Sequence, residues 1–287
     1  MKMLKKLKYY ADLIKFEHTI FALPFALASL VILMKKTPTL KEIFLILLAL
    51  VLARTLGMAF NRYLDKKFDA VNPRTMNWPH VSGLVRDWEI KLIIVLSALG
   101  FIIVCAFLNK LALYLSPLVI ILLFIYPLAK RFTYYPHLIL GLVYFLIPVA
   151  VDVALNENIS IEALILGIGM GFWVSGFDIL YSLQDYEFDL KMGLKSIPVR
   201  FGIKGALRMA RFFHFITFLA LFCLGLFSRE LGWIYFLGLF LISLFLVYEH
   251  SLIREKDLSK INKAFFTVNG FISIIFFIII LLDKVFF

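Results

Sequence analysis

The chain has 287 residues, of which 62% are hydrophobic and 17% charged, with a mean hydropathy of +0.94 and a formal net charge of +11. Its 31 phenylalanines and the grouping of apolar residues into separate blocks exceed what a water-soluble core of this length buries, so an ordinary soluble domain is excluded. The period-2 alternation of a β-barrel is absent, which leaves an all-α integral membrane protein.

In chain order, the first segment is basic, "MKMLKKLK", and Leu4, Leu7, Ala11 and Ile14 recur at helical spacing. This predicts an amphipathic helix over residues 3 to 16 on the inner membrane surface. Asp12, Lys15, Glu17 and His18 separate it from the first apolar run and no small-residue cleavage site follows, so it reads as retained rather than as a signal peptide. Nine apolar blocks come next, centred near residues 27, 50, 100, 119, 144, 170, 218, 240 and 275, each close to the length that a span needs. No linker or low-complexity stretch divides them, so residues 1–287 read as one domain, a bundle of nine transmembrane helices. Cys105 and Cys223 fall inside spans and read as small hydrophobes.

Alternating the nine spans from a cytoplasmic N-terminus puts 23 of the 30 Lys and Arg residues on the cytoplasmic side. Arg54 alone lies within a span. This is the asymmetry expected of a multi-pass protein of the inner, cytoplasmic membrane, with basic loops beside anionic lipid. The charges sit in short loops between spans, so a nucleic-acid footprint is not expected.

The second block runs into "NRYLDKKFDAVNPRT". If the helix continues, Asn61, Asp65 and Asp69 step about 40° and about 6 Å every four residues and form one oxygen-bearing stripe. Arg54, seven residues before Asn61, returns to the same face one to two turns deeper, where it is expensive unless it meets a polar cavity. The sixth block ends in "DILYSLQDYEFDLKMGLKS", where Asp178, Asp185 and Asp189 fall within about 40° on a continuous helix and Tyr181 flanks them. Both acidic groups lie at the cytoplasmic end of an even-numbered span. Acids gathered there repel unless a cation joins them, and hard oxygen donors suit Mg2+, which usually shares its coordination with phosphate. Basic residues close by in sequence, Lys66, Lys67, Arg74, Lys130, Arg131, Lys191, Lys195 and Arg200, match the charge of a diphosphate. Acids, bases and apolar walls together describe a site for a pyrophosphorylated lipid. For Lys66, Lys67 and Lys191 the reading as solvated loop residues is favoured, and His80, His137, His214 and His250 form no ligand pattern, which favours surface or packing roles.

The patterns N-x3-D-x3-D at Asn61, Asp65 and Asp69, and D-x2-Y-x3-D-x3-D at Asp178, Tyr181, Asp185 and Asp189, resemble those of the UbiA superfamily of intramembrane aromatic prenyltransferases. So do "KFEHTIFALPFALAS", "YPLAKRFT", "GLKSIPVRFG" and "FFTVNG". The resemblance implies nine helices around a central cavity, Mg2+ held by the two motifs, and a lateral opening for an isoprenoid chain. It implies Asn61, Asp65, Asp69, Asp178, Asp185 and Asp189 as metal and diphosphate ligands, with Asp65, Asp69, Asp185 and Asp189 central to catalysis. Arg54, Lys130, Arg131, Lys195, Arg200 and Tyr181 take the place of diphosphate contacts, and Lys15, Glu17, His18 and Tyr126 are candidates for the acceptor. Trp78 stands where the family commonly has arginine and Val81 where it has proline.

The implied reaction is Mg2+-dependent transfer of a polyprenyl group from its diphosphate to an aromatic acceptor such as 4-hydroxybenzoate, in ubiquinone or menaquinone synthesis. A naphthoate-type ring or a futalosine-pathway intermediate is an alternative acceptor, since "FEHT" is more like a menaquinone-linked subgroup. A transporter is the rival from another class, but carrier sites belong near the midplane and these acids lie at helix ends. A CDP-alcohol phosphotransferase would need a D-G-x2-A-R sequence, and none is present.

Overall fold

The structure, a computed structural model, describes residues 2–15 and 19–286. With no water in a bilayer core to satisfy backbone N–H and C=O groups, apolar blocks fold as helices, and helices are what form. In order they are α1 (Lys2–Leu13), α2 (Thr19–Leu33), α3 (Leu40–Asp69), α4 (Asp87–Leu108), α5 (Lys110–Phe132), α6 (Pro136–Asn156), α7 (Ile161–Ser182), α8 (Tyr186–Met192), α9 (Ile197–Phe227), α10 (Trp233–Leu252) and α11 (Asn269–Phe286). Among the described residues no strand forms beyond one isolated bridge, Arg254 with Asp257.

Eight helical segments are long and apolar enough to cross a membrane, with α7 and α8 counted as one segment and a π-helical turn (Lys263–Val268) joined to α11. They coincide with eight of the nine expected blocks. The block near residue 27 forms α2, whose 15 residues include Pro24. At 1.5 Å per residue α2 reaches about 22 Å, short of a hydrocarbon core about 30 Å thick.

The chain forms two compact units, one of Met1–Thr19 and Thr39–Leu128, the other of Ile20–Pro38 and Ala129–Phe287. In the first, α3 packs on α4 and carries α1. A capping box starts α3, with Thr39 Oγ1 accepting from the Glu42 amide and Glu42 reaching back to the Thr39 amide. Thirty residues give α3 a length of about 45 Å, about ten residues more than the hydrocarbon thickness needs. The helix α1 ends three residues short of the expected 16, and its chain leaves helical geometry at Lys15, with φ 48°. Its packed face holds Lys6 and Tyr10, both bound to Glu89, and the buried Leu13, which meets Ala59, Val85 and Ile90. Leu7 and Ala11 face outward, as a helix lying on a membrane surface requires.

In the second unit, α7 is the most buried helix and packs on α6 and α9, while α10 packs on α9 and α11. Glycines permit the closest crossing. A Cβ on Gly141 would lie 2.6 Å from the Gly171 carbonyl oxygen, and one on Gly171 would lie 2.8 Å from that of Gly141. Phe25 of α2 stacks on Trp173 of α7 and Phe276 of α11 with centroids 4.8 and 4.7 Å away. Buried carboxylates close two helix starts. Asp152 accepts from the Ser160 amide and hydroxyl at α7, and Asp283 accepts from the Gly232 and Tyr235 amides at α10.

Candidate active site

The first acidic motif occupies the last turns of α3, which runs unbroken to Asp69 and so forms the expected stripe. Asn61 Nδ2 donates to Asp65 Oδ2 at 3.1 Å, and Arg62 Nη1 donates to Asn61 Oδ1 at 2.9 Å, which fixes the carboxamide orientation. Arg62 is only 5% exposed; its Nε donates to the Leu13 carbonyl and its guanidinium lies 4.0 Å above the Trp78 ring. Nothing in the sequence marked Arg62, because its partners come from α1 and from the loop beyond α3. Arg54 Nη2 donates to the Lys15 carbonyl, so two arginines hold carbonyls at and just beyond the C-terminus of α1, where positive charge is favoured. Arg54 was expected to contact diphosphate, and this bond to α1 is where the structure places it. Trp78, at the position where an arginine was the usual residue, gathers Arg62, Arg74 and Lys15 around one indole. Asp69 closes the motif, its Oδ2 2.9 Å from His80 Nε2 and its carbonyl accepting from Thr75 Oγ1.

The second motif departs from the expected continuous helix. Asp178 lies on α7, but the chain tightens into a 3₁₀ turn at Leu183–Asp185 before α8, which carries Asp189. Each 3₁₀ residue turns about 20° further than an α-helical one, so three of them displace the stripe by about 60°. Asp185 and Asp189 are buried, and Asp189 Oδ2 accepts from Lys130 Nζ at 2.9 Å. Asp178 Oδ2 lies 2.7 Å from His137 Nδ1. The loop before α9 is tied to the end of α5, since the Lys195 amide donates to the Lys130 carbonyl at 2.7 Å. Lys195 and Arg200 flank the Tyr134 ring at 5.7 and 5.3 Å, which brings two expected diphosphate contacts together. A glycine makes this possible: Gly202, at φ 69° and ψ 172°, breaks α9 just after Arg200 in a conformation that other residues rarely adopt. Tyr181 stacks on Phe265 with centroids 4.0 Å apart, held by the π-helical turn before α11.

Other expected residues are placed less tellingly. Arg131 is exposed at the end of α5 and Tyr126 is half-buried on the same helix. Lys66 pairs with Asp87 at the surface, in keeping with a solvated role. Glu17 and His18 lie outside the described residues. His80 and His137 are buried, so a surface role is excluded for them, and both meet motif aspartates. Their partners lie 11 and 41 residues away, too far for a local pattern to show.

Within each unit, among the described residues, no three His, Cys, Asp or Glu side chains converge into a metal-binding set. The donors along both motifs are nonetheless hard oxygens, carboxylates with one carboxamide, and this chemistry fits Mg2+ sharing its coordination with a phosphorylated ligand.

Comparison with known proteins bears on the same residues. The model of the UbiA prenyltransferase family matches residues 22–275. A 4-hydroxybenzoate octaprenyltransferase of Pasteurella multocida (strain Pm70) is 31% identical over 273 residues, covering 93% of this chain and 92% of the relative. Its counterpart in Francisella tularensis subsp. mediasiatica (strain FSC147) is 34% identical over 261 residues, 90% of each chain. Among solved structures, the apo structure of a UbiA homolog from Aeropyrum pernix K1 is similar with a TM-score of 0.83 at 33% identity, covering 93% of this chain and 98% of that one. A UbiA homolog from Archaeoglobus fulgidus bound to GPP and Mg2+ shares the fold, with a TM-score of 0.78 at 20% identity and coverage of 96% and 99%.

Proposed function

The chain belongs to the UbiA prenyltransferase family, and from that premise we propose that it transfers a polyprenyl group from polyprenyl diphosphate to 4-hydroxybenzoate or a closely similar aromatic acid. The observation that carries this reading is identity of 31% and 34%, over about nine-tenths of the chain, with enzymes named 4-hydroxybenzoate octaprenyltransferase. The match to the family model spans residues 22–275, which supports a single catalytic domain.

In this reading Asn61, Asp65 and Asp69 from one motif, and Asp178, Asp185 and Asp189 from the other, hold divalent cations. Bound Mg2+ supplies Lewis acidity toward the leaving diphosphate, whose charge grows as the allylic C–O bond stretches. Lys130 stands beside Asp189, so its ammonium adds to the same stabilisation from within hydrogen-bond reach of a metal-binding carboxylate. Lys195 and Arg200, kept side by side over Tyr134, suit the outer phosphate oxygens. The departing allyl group then bonds to a ring carbon beside the acceptor's hydroxyl, and loss of the ring proton restores aromaticity. Apolar and aromatic side chains keep out the water that would trap a carbocation, and ring faces such as that of Tyr181 stabilise positive charge. The excess of basic residues in the loops beside the motifs supports an inner-leaflet position for them, in the cytoplasmic membrane of the cell.

The test incubates purified protein and Mg2+ with a polyprenyl diphosphate and separate aromatic acceptors, and identifies products by mass. Prenylated 4-hydroxybenzoate is expected. A product with a naphthoate-type ring alone corrects the acceptor, and no product with any acceptor overturns the proposal.

A further inference from the structure

The two motifs share a feature outside their own patterns. Asp69 meets His80, which lies in the loop after α3, and Asp178 meets His137, the second residue of α6. Each pair lies within one compact unit, so the same device is built twice from unrelated segments. Both rings are buried, at 0% and 1% exposure. Each turns one nitrogen to a carboxylate, Nε2 of His80 at 2.9 Å and Nδ1 of His137 at 2.7 Å. Each hides the other nitrogen, Nδ1 of His80 and Nε2 of His137, where it has no hydrogen-bond partner.

That arrangement fixes which nitrogen serves the acid. A carboxylate oxygen accepts, so the facing nitrogen donates to it. A histidine kept for packing alone has no reason to leave one nitrogen unsatisfied in order to aim the other at an acid, and still less to do so at both motifs. A carboxylate pinned at one oxygen cannot rotate about its Cβ–Cγ bond, and its second oxygen acquires one direction.

We propose that His80 and His137 are positioning residues that hold one oxygen of Asp69 and of Asp178 and so orient these carboxylates toward the divalent cations bound with the prenyl diphosphate. The inference rests on the transferase reading above. Hydrogen bonds from outside the ligand set commonly govern metal affinity in this way, and their loss weakens it by about 10- to 100-fold.

The test uses full-length protein in detergent and an inert donor, geranyl S-thiolodiphosphate, whose binding is followed by calorimetry as Mg2+ is titrated; no turnover is involved. His80→Leu and His137→Leu should each raise the Mg2+ concentration for half-maximal binding by about 10- to 100-fold. The conservative variants make the test independent of folding. The amide of glutamine reaches where Nε2 of histidine sits, and that of asparagine reaches where Nδ1 sits. His80→Gln and His137→Asn should therefore restore the wild-type titration, while His80→Asn and His137→Gln should not. Leucine variants that titrate like wild type overturn the proposal, as do glutamine and asparagine variants that behave alike at both sites. Wild-type protein that binds the thiolodiphosphate without regard to Mg2+ overturns the transferase reading instead.

Discussion

Asp189 shows how much one contact changes the reading of an acid. In the sequence it is the last member of a stripe; in the structure it is 1% exposed and rests on Lys130 at 2.9 Å. Removing the ammonium strands a buried carboxylate, and breaking such a pair costs roughly 3 kcal/mol. Lys130→Met should therefore lower the unfolding midpoint in detergent and reduce kcat/KM for the prenyl diphosphate by about 100-fold. Adding Asp189→Asn to it should recover part of the midpoint, since the carboxylate that lost its hydrogen-bonded partner is gone, without recovering turnover. Thermal unfolding and steady-state kinetics on the same preparations separate the two effects. Arg62 makes the complementary point: it is the residue that orients Asn61, yet a basic residue beside a motif looks like any loop cation until α1 and Trp78 supply its partners.

Among the elements, those whose periodicity continues were legible and those that change period were not. The stripe of Asn61, Asp65 and Asp69 survives because α3 keeps one helical repeat to its end. The stripe of Asp178, Asp185 and Asp189 does not, because the 3₁₀ turn at Leu183–Asp185 carries no Gly or Pro to announce it. The amphipathic α1 was visible as a helix, but its apolar residues Leu7 and Ala11 are not the ones it packs with. Close packing of α6 on α7 was equally hidden, since nothing in the sequence singles out Gly141 and Gly171 until each is seen to lie against the other's carbonyl oxygen. A Cβ at 171 would sit 2.8 Å from the Gly141 oxygen, so Gly171→Val must push two helices apart. The expected cost is about 1–3 kcal/mol, read as a lower thermal midpoint, with Mg2+ dependence of the surviving activity unchanged.

For the molecule as a whole, composition alone separated membrane from water, and eight helices long enough to span confirm it. Hydropathy counts α2 among the nine spans, but a 15-residue helix with an internal proline is apolar without being long. Its crossing decides the sidedness of everything after it. With a cytoplasmic N-terminus and nine crossings, the chain after α11 ends on the outer side; with eight it ends inside. A phosphatase fused after residue 287 should be active, and a green fluorescent protein fused there should stay dark; the opposite pattern would remove α2 from the count of crossings. The length of α3 has a consequence of its own under the proposed reaction. If the roughly ten residues that α3 has beyond a bilayer's thickness are its acidic turns, each catalytic cycle ends with two leaving molecules of opposite solubility at a phase boundary. The inorganic salt departs into water, the greasy aromatic slips back among the lipids, and partition itself keeps the two from meeting again.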